Sequence, residues 1–265
     1  MEKCKQFLDY FFGKGETEEF TNFTLAHFLP ILVAAGVIYL IYLFRHKIAS
    51  DEKLDKRLRM TLALALIITE MSYYWRLVGL PDILEPNPID HLPITVCGWA
   101  VVLSSYLMVS KNQTLFDISY FFLLCATIFA LITPTVITYT GPTRFRYYQF
   151  WLEHTLGYLA IFYMMFVHKM RPTIKSAVKA LSALLVLGGV ALFANNLLGP
   201  GANYLYVARL ESTPSILDIL PSNYGLRLAI MVAAVLTLFF LAYLPWLIMD
   251  IRAKKKGTVQ ANEQV

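Results

Sequence analysis

The sequence predicts an all-α polytopic membrane protein, a seven-transmembrane-helix bundle with its N-terminus outside and its C-terminus in the cytoplasm. Three observations predict it. The 265 residues are 57% hydrophobic and only 15% charged, with a mean hydropathy of +0.55, too apolar for an ordinary soluble domain. Seven stretches approach the length of about 20 mainly apolar residues that a bilayer core requires. The basic residues collect in alternate connections, as retention of positive charge on the cytoplasmic side demands.

Taken in order, residues 1–26 form an extracellular or interfacial segment. Charges at Asp9, Lys14, Glu16, Glu18 and Glu19 interrupt the apolar core that a cleavable signal needs, while Phe7, Leu8, Tyr10, Phe11 and Phe12 suit a short helix lying in the interface. The membrane domain, 27–249, holds spans at 27–44, 58–80, 91–109, 115–138, 147–168, 175–198 and 225–249. The fourth and sixth are the most apolar, and the second and fifth carry embedded polar residues. Most connections are short, which holds neighbouring helices antiparallel, and no internal repeat is visible. Residues 250–265 make a basic cytoplasmic tail.

Orientation follows from the charges. Arg45, Lys47, Lys53, Lys56, Arg57 and Arg59 follow span one, Lys111 follows span three, and Lys169, Arg171, Lys175 and Lys179 follow span five. With Arg252, Lys254, Lys255 and Lys256 of the tail these are fifteen of the twenty-three Lys and Arg. The alternate connections hold few, namely Arg144, Arg146 and Arg209.

Several function classes drop out. The net charge of +5 flanks apolar spans and forms no basic stripe with interleaved aromatics, so no nucleic acid is expected. Cys4, Cys97 and Cys125 are too few and too scattered for a disulfide framework or a zinc site. No phosphate loop, zincin pattern or nucleophile elbow occurs. No metal and no cofactor is therefore expected.

Polar residues gather in the outer half of the predicted bundle. Asp90 to Trp99 carry a carboxylate, the imidazole of His91 and the thiol of Cys97 into the start of span three, and Tyr147 to His154 do the same in span five. Cys97 and His154 each fall about seven residues inside, roughly 10 Å below the outer face at 1.5 Å per residue. Helical spacing puts Asp90, Cys97 and Val101 on one stripe, His91, Thr95 and Gly98 on another, and Gln149 with Glu153 on a third. Arg76, Thr133, Pro134, Asn195 and Asn196 arrive at the same face from the even-numbered spans. Glu70 lies deeper, where a carboxylate must be neutral or paired. Each has a plainer reading: a packing thiol for Cys97, an interhelical hydrogen bond for His154, solvation for His91, helix-end caps for Asn195, Asn196, Asn203 and Tyr204, and interfacial anchors for Tyr73, Tyr74 and Trp75.

Leu92-Pro93-Ile94-Thr95-Val96-Cys97 resembles the Leu-Pro-Leu-His-Leu-Cys segment of the YwaF-type bacterial membrane proteins, related to the animal transmembrane protein 164 family. The likeness continues at Ala130 to Pro134, at Tyr148 to His154, at Asn195 to Gly199 and at Asn203 to Tyr206. Two positions depart from it, Thr95 standing where the family has histidine and Thr135 where it often has aspartate. The resemblance implies a multispan helical protein, here of the bacterial plasma membrane, and acyl transfer between phospholipids with Cys97 as nucleophile and His154 as base. Glu153 or Asp90 would orient the base, Arg76 would meet the phosphate, and His91, Gln149, Asn196, Asn203 and Tyr204 would line the pocket. The rival reading keeps the pocket without covalent chemistry, as a binding protein or transporter for a small solute or lipid headgroup. A seven-helix receptor rests on span count alone, and retinal is disfavoured because 225–249 lacks lysine.

Overall fold

Every regular element among the described residues is helical. The computed structural model describes residues 2–13, 20–132, 134, 141–209 and 219–262. Helix α1 is Glu2–Phe12 and α2 is Leu25–Ser50, and α3, Glu52–Gly79, follows across the single residue Asp51. Asp51 breaks the run because its carboxylate accepts the Leu54 N–H at 3.0 Å and caps the new helix. The basic stretch read as a loop between spans one and two is thus helical, and it carries its charges on two helix ends.

A short turn, α4 at Pro81–Leu84, precedes α5 at Val96–Ser110, then α6 at Gln113–Phe121. The chain continues through a π-helical segment, Phe122–Thr127, into α7, Ile128–Ile132. Helix α8 is Phe145–Phe166 and α9 is Ile174–Leu198; a 3₁₀ turn, Tyr204–Tyr206, precedes α10, Tyr224–Asn262. Thr133, Thr135 and the end of the predicted fourth span lie outside the described residues. Helix α10 runs past Pro245 into the segment expected as a separate tail.

Among the described residues four helices are long and apolar enough to cross a membrane: Leu25–Ser50, Gln113–Ile132, Ile174–Leu198 and Tyr224–Lys255. Helices α2, α9 and α10 expose broad apolar faces, including Leu32, Val33, Leu185, Val186, Phe193, Phe240 and Leu241. Such outward faces suit hydrocarbon rather than water. Helices α3, α5 and α8 fill the interior, where Leu66, Ala100, Val101, Leu107, Ile161 and Met164 form the core with Phe116 and Phe121 of α6.

Alternate helices begin at the same end. The starts of α2 and α8 lie together, tied by Tyr147 Oη to the Ala26 carbonyl at 2.7 Å, and the start of α5 lies against Glu70 in the later half of α3. His27 joins the end of α7 there, its Nε2 2.7 Å from the Leu131 carbonyl. Helix α1 docks beside them, with the Arg144 guanidinium 3.4 Å over the Tyr10 ring and Phe12 against Phe145, while Phe7 and Leu8 face outward. That is the amphipathic form expected of an interfacial helix.

Ionic groups tie the opposite end. Asp55 accepts hydrogen bonds from Arg59 Nε at 2.9 Å and Tyr163 Oη at 2.7 Å, with His168 Nε2 2.8 Å away. Arg59 also donates to the Met108 carbonyl at 2.6 Å, joining α3, α5 and α8. Asp117 accepts from Gln113, Ser176 and Lys179, each at 2.7 Å, and joins α6 to α9. Burial raises the Asp55 pKa, but the Tyr163, Arg59 and His168 hydrogen bonds outweigh it and hold the carboxyl below its ordinary value. A carboxyl depressed in the folded state stabilises above its unfolded pKa and loses that contribution as pH falls through the folded value. Asp55→Ala, which strands Arg59, should cost about 3 kcal/mol in unfolding measured in detergent micelles, and wild-type stability should decline in acid toward that of the variant.

Candidate active site

Helix α5 begins five residues later than its apolar stretch. Pro93 supplies no N–H and restrains Leu92 to extended backbone, so residues 91–95 are not helical and Thr95 becomes the N-cap. Its hydroxyl accepts the Gly98 N–H at 3.0 Å. The departure from the family pattern at Thr95 therefore has a local role. Two expectations change with it: Cys97 is the second residue of its helix rather than seven residues inside, and the stripes that carried Asp90, His91 and Thr95 along α5 do not exist.

What faces this first turn comes from α3 and α8. A Cβ on Gly98 would lie 2.6 Å from Glu70 Oε1 and 2.9 Å from Thr95 Oγ1, so the bare glycine is what lets the Glu70 carboxyl lie against α5. One turn of α8 carries the next layer. Gln149 Nε2 donates to Glu153 Oε2 at 2.8 Å and to the Thr69 carbonyl at 3.3 Å, while its Oε1 accepts from Arg146. Arg146 also lies 3.7 Å from Glu153 Oε2, with its guanidinium 4.9 Å from the Tyr73 ring centre. Glu70, Gln149 and Glu153 are all buried. Cys97 is half-buried and lies within electrostatic reach of Glu153, Glu70 and Arg146.

His154 follows Glu153 and is 4% exposed. Its ring packs 4.3 Å from that of Phe150, and Nδ1 lies 2.8 Å from the Phe150 carbonyl. A carbonyl only accepts, so Nδ1 carries a proton and the neutral ring keeps its lone pair on Nε2. One turn further, Tyr158 Oη donates to the Leu123 carbonyl at 2.6 Å. That carbonyl belongs to the π-helical segment, which Gly157 approaches so closely that a Cβ would meet Leu123 at 2.6 Å.

The other expected residues lie apart. Tyr204 is a strut, its Oη donating to the Pro88 carbonyl at 2.7 Å and accepting the Leu92 N–H at 2.8 Å, with its backbone held by Asn195. Asn203 closes its own loop onto Ala208 and Arg209. Asn196 is exposed. Asp90 is exposed too, and His91 turns its Nδ1 back onto Asn87. Arg76 lines a separate groove of about 350 Å³ with Phe12, Trp75 and Phe145.

Sequence reasoning passed over two members of the cluster, counting Arg146 as a loop charge and Tyr73 as an anchor. The spacing Arg146, Gln149, Glu153 is one helical stripe, a signal available without coordinates. Among the described residues no His, Cys, Asp and Glu group is arranged to hold a metal.

Apolar outward faces, a polar interior and ionic ties at one end define a multi-pass helical membrane protein with a buried polar site. The TMEM164 family model matches residues 22–244, and the chain belongs to that family. No curated protein and no solved structure matches it.

Gly98→Ala should move Glu70 and crowd the Thr95 cap at a cost of about 1 kcal/mol. The check is a lowered thermal midpoint together with an altered rate of Cys97 alkylation; unchanged alkylation would mean that the carboxyl does not touch the thiol's surroundings.

Proposed function

We propose that the chain transfers fatty acyl groups between membrane phospholipids through a thioester on Cys97. The observation that carries this reading is the His154 tautomer: the Phe150 carbonyl occupies Nδ1–H, leaving Nε2 of this buried ring as a base one residue along α8 from Glu153, which lies within electrostatic reach of Cys97. In the first half-reaction the Cys97 S–H proton passes to Nε2 as sulfur bonds to the ester carbonyl carbon, and the carbonyl electron pair moves onto oxygen. Collapse restores the C=O, breaks the ester C–O bond and returns the proton to the departing alkoxide, releasing a lysolipid. An acceptor hydroxyl then reverses these steps on the thioester.

The rest of the site supports the same chemistry. The first N–H groups of a helix have no intrahelical acceptor, and those of the first turn of α5, which carries Cys97, are the backbone donors this reading assigns to the oxyanion. The Arg146–Gln149–Glu153 set ties the adjoining turn of α8 together, and the Phe150 carbonyl and ring orient His154. Arg76 lies six residues along α3 from Glu70, about 9 Å at 1.5 Å per residue, a distance comparable with that from a lipid phosphate to its acyl ester. Its apolar groove offers room for the chain. Seven spans with the N-terminus outside accommodate this arrangement, because the basic ends of α2, α3, α9 and α10 lie opposite the site and belong in the cytoplasm by the positive-inside rule. A reporter fused after Lys255 should therefore read as cytoplasmic.

Intact-protein mass after incubation with phospholipid vesicles tests the chemistry. Wild type should gain one acyl group on Cys97, Cys97→Ser should gain no thioester, and His154→Ala should slow the gain by about 10²- to 10⁴-fold. Saturable lipid binding with no adduct in any of the three would return the site to a non-catalytic binding or transport protein.

A further inference from the structure

We propose that Glu70 is a further catalytic residue, a neutral carboxylic acid whose O–H stabilises the oxyanion formed when Cys97 attacks an acyl ester. The proposal rests on the acyl-transfer reading and adds to it a donor that neither the motif nor the family resemblance supplies.

Three observations converge on it. Position is the first: Glu70 Oε1 lies against Gly98, the residue after the nucleophile, at the one position in the turn where a missing side chain admits it. Isolation is the second. Glu70 is 5% exposed, and among the described residues it makes no hydrogen bond or ion pair, whereas its neighbour Glu153 is met by Gln149 and Arg146. A buried carboxylate without a partner is costly in an apolar setting.

Charge balance is the third. The layer holds two carboxylates and one guanidinium, and Arg146 is engaged by Glu153 and Gln149. A proton on Glu70 makes the layer neutral and converts an acceptor-only group into one with an O–H donor. A carboxylic acid kept neutral by its surroundings is suited to donate to a developing oxyanion, since it need not reorganise as charge appears. No proton leaves Glu70 in the cycle. The thiol proton moves to His154 and on to the leaving alkoxide, while the Glu70 O–H shortens its hydrogen bond to the oxyanion and relaxes as the carbonyl re-forms.

The test compares wild type, Glu70→Gln and Glu70→Leu in vesicles of phosphatidylglycerol, following the acyl adduct on Cys97 by intact mass against time. Glu70→Gln, whose amide donates from the same place, should stay within about tenfold of wild type, and Glu70→Leu should slow adduct formation by about 10²-fold or more. Glu70→Met, unbranched and of similar length, replaces the leucine variant if that one does not fold. An apolar variant as fast as wild type overturns the role of Glu70 and leaves acyl transfer standing, and so does a glutamine variant as slow as the apolar one. Absence of adduct in wild type overturns acyl transfer and the role of Glu70 with it.

Discussion

Hydrocarbon cannot solvate a charge, and that single constraint organises both ends of this protein. At the end opposite the site, Asp55, Arg59, Tyr163 and His168 satisfy one another and, through Arg59, the last turn of α5. Asp117 is enclosed in the same way by Gln113, Ser176 and Lys179. These groups are saturated, and their role is to register helices. At the site end saturation stops one carboxylate short, and the unfinished group is the one lying against the thiol-bearing turn.

Close approach is what makes such a site possible. Helix α5 starts at Val96 because Pro93 keeps the preceding residues out of a helix and Thr95 caps the first turn. Gly98 then lets α3 come near enough for a carboxyl to touch that turn, and Gly157 does the equivalent where α8 meets the π-helical segment. An extra methyl at Gly98 would push on the Glu70 and Thr95 side chains, and one at Gly157 on the buried Leu123 side chain, since packed interiors leave little slack. The wider π turn in turn directs the Leu123 carbonyl to Tyr158 and Thr127, and such turns tend to gather at functional places.

Much of the helical pattern was legible in the residues, because apolar runs of this length have few other uses. Six of the seven stretches each overlap one helix and the fourth overlaps the run from α6 through the π-helical segment to α7, and the polar cluster was visible as polar residues entering apolar segments. Register near Cys97 was not legible: apolar residues before Val96 look helical to a hydropathy count, while a proline and a threonine decide otherwise. Arg146 was assigned to a loop because positive charge next to an apolar run ordinarily marks a span end, and here the helix begins at Phe145 and carries it inward. The family resemblance put Asn203 and Tyr204 in the pocket, beside their plainer reading as caps and loop contacts. Their hydrogen bonds instead brace two loops, a distinction that depends on which backbone groups lie within reach.

By itself, then, the sequence determined a helical membrane protein of this family, with a thiol and an imidazole among unusual polar company, since transfer free energies and helical periodicity act over short distances along the chain. Only the tertiary structure decided which polar groups complete one another. Partnership across α3, α5 and α8 depends on helix stagger and on separations of a few ångströms between residues eighty or more positions apart, as between Gln149 and Thr69 or Tyr163 and Asp55, and no local pattern encodes such separations.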